Sequence, residues 1–209
     1  MRVAVTANRN LTARDRATIG ARCAGRWTMT TMTWDEFREQ AVTRAGLHAI
    51  GGDPTARLAY LALGLCGEAG EYARAIGDGL GDEPCLSELG DVAWYLAMVE
   101  HATGERARWP SSPSAEGSSP RRLAIVESAC AVAECVKRPM QGRDLPVERF
   151  RSALAALASH VCAAARYWTG SDDGMPAVYA ANIAKTKARF GEGGFTVAQA
   201  RALDAEAAR

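Results

Sequence analysis

Long apolar runs are missing from this 209-residue chain: Arg, Glu or Asp interrupts every hydrophobic stretch before the roughly 18 to 20 residues that a membrane-spanning helix needs. A transmembrane protein is therefore not expected. Net charge is missing as well, since 25 Lys and Arg face 24 Asp and Glu. That balance argues against a whole-domain grip on nucleic acid or on an anionic membrane surface, so any bound anion must be held locally. The six cysteines contain no C-x-x-C pair, which removes the common zinc and dithiol motifs. Thiols scattered through helical patterns act as small core hydrophobes and suit a reducing cytoplasm. Only three histidines occur, His48, His101 and His160, each isolated from the others. From residue 33 onward no alternating strand pattern exceeds four residues, and the expected fold class is all-α.

What is present divides by texture. Residues 1–32 form an arm whose first 28 residues hold six arginines and one acid, with no apolar core of 7 to 15 residues, so it is not a secretory signal. It reads as a disordered or processed arm, or as sequence ahead of a true start at Met29 or Met32. From Thr33, an N-cap followed by Trp34, Asp35 and Glu36, a first helix runs to about Leu47. A second spans about residues 54–76, with Leu58, Leu61, Leu65, Tyr72 and Ile76 on one stripe. A third runs from about Pro84 or Ser87 to Thr103, burying Leu89, Val92, Ala93, Leu96 and Val99. Residues 105–120 are rich in Pro and Ser and read as a linker. Three further helical patterns follow, at about 121–138, 145–168 and 176–190, before a tail at 197–209.

The chemically pointed feature is a set of four acids. Glu68 and Glu71 lie three residues apart on the second helix, and Glu88 and Asp91 three apart on the third. Residues at that spacing stand about 60° apart on the helical wheel, so each pair projects from one side of its helix. Glu68 falls inside the apolar stripe, where a solvated glutamate would not be placed. Antiparallel packing of the two helices would bring all four acids together, and ionised carboxylates about 5 Å apart repel by roughly 3 kcal/mol per pair at an effective dielectric near 20. Such a cluster calls for a cation. All-oxygen ligands favour Mg2+, with Mn2+ an alternative. Gly64, Gly67 and Gly70 cost around 1 kcal/mol each inside a helix, and they clear a strip beside Glu71 for a helix or a ligand.

These residues carry a resemblance. The segments GLCGEAGE and ELGDVAWYLA set E-x-x-E and E-x-x-D sixteen residues apart. With TWDEFREQA before them and ANIAKTKARFGEGGF after, the chain resembles the MazG-like family of all-α nucleoside triphosphate pyrophosphohydrolases over most of residues 33–196. The resemblance implies Mg2+-dependent hydrolysis of an NTP or dNTP to the monophosphate and pyrophosphate, with Glu68, Glu71, Glu88 and Asp91 as catalytic metal ligands. It also implies Lys137, Asn182, Lys185 and Arg189 as substrate-binding residues, and a homodimer is compatible with it. Two alternatives stay open: a pyrimidine-specific dUTP or dCTP pyrophosphatase, and a non-catalytic helical nucleotide-binding or regulatory module.

The chain departs from that family in one respect. A long stretch separates Asp91 from Asn182, where the family has a short loop. The intervening SACAVAECVKRPMQGRDLPVERFRSALAALASHV reads as a second, worn copy of the acid-bearing helices. Aligning the copies puts Ser128 under Glu68, Ala131 under Glu71, Ala153 under Glu88 and Ala156 under Asp91, which removes every acid. The expected architecture is a MazG-like four-helix-type core formed as a single-chain pseudo-dimer of two repeats: residues 33–104 with the metal ligands, and residues 121–196 with the Asn-x-x-Lys helix.

Overall fold

The computed structural model describes residues 32–45, 52–110 and 122–191, and within them the chain is helical with no strand. Six helices follow one another: α1 (Trp34–Arg44), α2 (Pro54–Gly77), α3 (Asp82–Thr103), α4 (Arg122–Met140), α5 (Val147–Thr169) and α6 (Met175–Phe190). The residues around 1–31, 46–51, 111–121 and 192–209, including His48, Gly194 and Phe195, lie outside the described residues, as do the expected arm and tail.

Local chemistry sets the helix ends. At α1 the Thr33 hydroxyl accepts from Glu36 N at 3.3 Å, while the Glu36 carboxylate accepts from Thr33 N at 2.7 Å. This reciprocal pair satisfies two otherwise orphaned donors and holds the Glu36 carboxyl below its usual pKa. Asp53 caps α2 by accepting from Ala56 N, and Pro54 occupies the first turn, where its missing N–H costs nothing. The α2–α3 turn needs positive φ at Gly79 and Gly81, +66° and +88°, which only glycine adopts readily. α3 begins at Asp82, slightly before the expected Pro84, because Asp82 and Glu83 in its first turn suit the positive end of the helix dipole.

Packing follows the apolar stripes. Leu58, Leu61, Leu65 and Tyr72 of α2 and Leu89, Val92, Ala93, Leu96 and Val99 of α3 are all buried. α2 contacts α3 and α4, and α5 contacts α4 and α3, so these four helices close a ring around one core. Gly77 lies against the Arg122 guanidinium, and Cys66 meets the Cys130 thiol, which sets α2 and α4 antiparallel. Across the ring, Trp168 Nε1 donates to the fully buried Tyr72 hydroxyl at 2.9 Å, so the polar tips of two large core side chains satisfy each other.

α3 is the central helix. It touches α1, α2, α5 and α6, and every residue from Leu96 to Glu100 is buried. A helix apolar nearly all round belongs inside a fold. Glu100 is the exception in this run. Its carboxylate accepts from Trp34 Nε1 at 3.1 Å and from Ala107 N at 2.8 Å, and these bonds draw the segment after α3 back onto α1. Residues 105–110, which the sequence reads as the start of a linker, are therefore packed: Ala107 is buried and Glu105 accepts from Arg151 Nε at 2.5 Å.

Candidate metal centre

The centre is built where α2, α3 and α6 meet. Carboxylate oxygens of Glu68, Glu71 and Glu88 lie within 4.8 Å of one another, although they come from two helices joined only by the glycine turn. Glu68 and Glu88 are half-buried and Glu71 is exposed, so the cluster opens to solvent on the Glu71 side. The fourth acid is held differently. Asp91 accepts from Asn182 Nδ2 at 2.8 Å through Oδ1 and forms a close ion pair with Lys185 through Oδ2.

Gly90 makes this meeting feasible. A Cβ there would sit 3.0 Å from Asn182 Cβ and 3.3 Å from the Val178 carbonyl oxygen, so the missing side chain is what lets α6 approach beside Asp91. Gly64 plays a similar part on α2, where a Cβ would overlap the Tyr95 ring. Gly67 and Gly70 have nothing within 4 Å of a Cβ position. Of the three glycines in the strip, one admits a neighbouring helix and two leave open space beside the acids.

The electrostatics report a crowded anionic site. Burial, reinforced by Asp91, Glu71 and Glu88, pushes the Glu68 carboxyl up to about 7. Burial also raises Glu88 and Asp91, with Lys185 opposing the shift in both. Burial alone would lower the Lys185 ammonium, but Asp91, Glu88 and Glu68 together outweigh it and its pKa rises. One cation therefore serves several acids. Arg74 adds a weak contact to Glu71 at 4.0 Å, with both side chains mostly exposed.

The other anticipated residues are placed unevenly. Asn182 is fully buried, and its Oδ1 has no hydrogen-bond partner. Arg189, a turn beyond Lys185, is exposed with its guanidinium over the Phe190 ring at 5.2 Å. Lys137 is exposed and bonds Glu134 on its own helix at 3.4 Å. Its position seven residues beyond Cys130 sets it about 10 Å along α4, away from the Glu71 end of α2. The structure thus brings Asn182 and Lys185 to the acids, and does not bring Lys137.

Gly90 escaped sequence reasoning, whereas the helical spacing of Tyr95 reads as core. Gly90 could have been found by its cost, since a glycine in mid-helix is unfavourable by about 1 kcal/mol unless something needs the space. Tyr95 is half-buried over Gly64 and packs against the core, while its hydroxyl bonds Tyr60 and lies in the field of Glu68, so it also borders the site. On α4, Ser128 is buried and its Oγ lies 3.0 Å from His160 Nδ1. No family model, curated protein or solved structure matches the chain.

Proposed function

We propose that the chain is a Mg2+-dependent pyrophosphohydrolase of the MazG-like kind, cleaving an NTP or dNTP to the monophosphate and pyrophosphate. The observation that carries this reading is the convergence of Glu68, Glu71 and Glu88 within 4.8 Å, beside an Asp91 that Asn182 and Lys185 hold from another helix. Acids merely sharing a solvated face would spread apart rather than accept a Glu68 raised to about 7.

The donors fit the ion. Three carboxylates with oxygens within 4.8 Å of one another are the hard, all-oxygen donor set that Mg2+ favours and that Mn2+ would also accept. Glu68, Glu71 and Glu88 would hold it, and the exposed Glu71 side leaves room for water and phosphate. When bound, the ion supplies charge neutralisation of the triphosphate, polarisation of a phosphoryl oxygen and a more acidic water. Asn182 and Lys185 keep the Asp91 carboxylate oriented beside the three glutamates. Lys185 offers a charge-assisted donor to phosphate, and the unpartnered Asn182 Oδ1 is an acceptor for a hydroxyl or water next to Asp91.

A duplicated unit accounts for the architecture. α2 with α3 and α4 with α5 are two successive helical pairs that meet α2 to α4 and α3 to α5. The two pairs also end on the same local device, one residue out of the register that sets Ala156 under Asp91. Thr103 Oγ1 donates to Val99 O and accepts from Glu105 N; Thr169 Oγ1 donates to Ala165 O and accepts from Ser171 N. Each threonine precedes a left-handed glycine, Gly104 or Gly170. On this reading one half supplies the acids and the other supplies α6 with its lysine.

The test is pyrophosphate release from the eight common NTPs and dNTPs with Mg2+ or Mn2+, for the native chain and Glu71→Ala. Metal-dependent turnover by the native chain, lost in the variant, is the expected result. Absence of turnover with every substrate, together with calorimetric binding of a Mg2+ nucleotide, would replace the enzyme with a nucleotide-binding module.

A further inference from the structure

Away from the acids, a cavity of about 360 Å3 opens between the start of α1, the segment after α3 and the α5–α6 connection. That is within the usual size of small-ligand pockets. Trp34, Trp109 and Tyr179 form one side, and Cys162, Met175 and Asp173 contribute to the rest. No Lys, Arg or His is among the described residues that line it, and Asp173 is their one carboxylate.

The aromatic wall is held in place before any ligand arrives. Trp34 and Trp109 meet at 4.3 Å between ring centroids with planes 47° apart, and Trp34 meets Tyr179 at 5.9 Å and 45°. Trp34 Nε1 is tied to the buried Glu100, and Tyr179 stacks on Phe37 at 4.6 Å. Asp173 is exposed, and its charge reaches Cys162 and Tyr179, adding to the burial that pushes the Cys162 thiol up to about 12. The nearby cation Arg166 is paired with the exposed Asp172 at 2.7 Å, and its charge only partly offsets that of Asp173 at Cys162.

Charge complementarity then selects the occupant. An anion would meet a carboxylate and no cationic side chain among the described lining residues. A hard metal ion needs six or more oxygens, and this wall offers one carboxylate. A compact ammonium with apolar substituents suits this lining: its charge meets the aromatic rings and Asp173, its methyl groups meet the rings and the methionines, and a hydroxyl on it could accept from the unpartnered Trp109 Nε1. We propose that this cavity is a binding site for an organic cation of that class, separate from the acid cluster.

The experiment uses the full chain, with choline as the cation and 3,3-dimethylbutan-1-ol as its uncharged isostere. Binding is followed by tryptophan fluorescence and by saturation-transfer NMR of the ligand methyl protons. Choline should bind saturably, with the isostere about tenfold weaker or worse. Asp173→Asn should weaken choline by about tenfold and leave the isostere unchanged, whereas Trp109→Leu should abolish choline binding. Trp109→Phe, which keeps a ring, should retain choline binding within about threefold and so separates loss of the site from loss of the fold. Equal affinity for the two ligands, or no saturation by choline up to about 50 mM, overturns the proposal. Displacement of choline by a free nucleoside also overturns it, since the cavity would then be the base end of the nucleotide site.

Discussion

Lys185 concentrates the chemistry of the centre in one side chain. It neutralises Asp91 directly and lies in the field of Glu88 and Glu68, so it organises the acids, and in the proposed function it also meets phosphate. Lys185→Met should lower kcat/KM for the preferred nucleotide at least tenfold, the scale of one lost charge-assisted contact of about 1.5–3 kcal/mol. Calorimetric Mg2+ affinity without nucleotide should hold or rise, because a repelling charge has gone. Unchanged kinetics would reduce α6 to a structural support. Glu68 makes a separate statement about pH. Its folded pKa of about 7 exceeds the ordinary 4.5, so the native state binds the proton more tightly than the unfolded chain. Its contribution to stability is therefore complete below about pH 4.5 and is lost as pH rises through about 7. Metal-free protein should show a falling Tm between pH 5 and 8, and Glu68→Gln should flatten the slope. A native Tm that rises across this window, with the variant no flatter, would refute that account.

Among the helices, glycines decide which neighbours can approach. Gly90→Ala would press on Asn182 and the Val178 carbonyl, so α6 must shift by a few tenths of an ångström. Overpacking of about 1–3 kcal/mol opposes a helix-propensity gain near 1 kcal/mol, and the expected net is about 1 kcal/mol of destabilisation with impaired turnover. Gly67→Ala meets open space, so the propensity gain stands alone and denaturant unfolding should show up to about 1 kcal/mol of added stability. If Gly67→Ala also slows turnover while raising stability, the open strip is used by substrate. Opposite signs for two glycine substitutions on packed helices would be hard to obtain from propensity alone. Glu100 teaches a related lesson. A carboxylate in the last turn of α3 opposes the helix dipole, and that misfit was a readable sign of the partners, Trp34 and Ala107, that it holds.

As a whole, the described residues form one ring of four helices, with α1 and α6 laid against α3. Two independent three-helix units would each need their own core, whereas here α3 and α5 bury the same interior. Unfolding in denaturant should therefore be a single transition by fluorescence and circular dichroism together, and two separated transitions would contradict the shared core. Mg2+ at about 100 times its Kd should stabilise the native chain by roughly 2.7 kcal/mol, and Glu71→Ala should forfeit most of that shift.

Periodicity alone was enough for much of this. The stripes of α2 and α3, the cap at Thr33 and the glycine stops are local, since each depends on residues within a turn or two, and the helices form where those signals stand. The pairing of Glu68 with Glu71 is equally local, because helical pitch decides it. What lies across the chain was beyond such reading. Asn182 and Lys185 reach Asp91 from more than ninety residues away only because Gly90 leaves room for α6. Lys137 carries the same charge as Lys185, and the antiparallel register of α2 and α4 leaves it away from the acids. Residues 105–110 open the stretch that reads as a linker, yet a buried carboxylate on α3 folds them back. Short-range preferences select the helices; which face meets which depends on the steric fit and charge of the assembled core, and that fit exists only once the chain is packed.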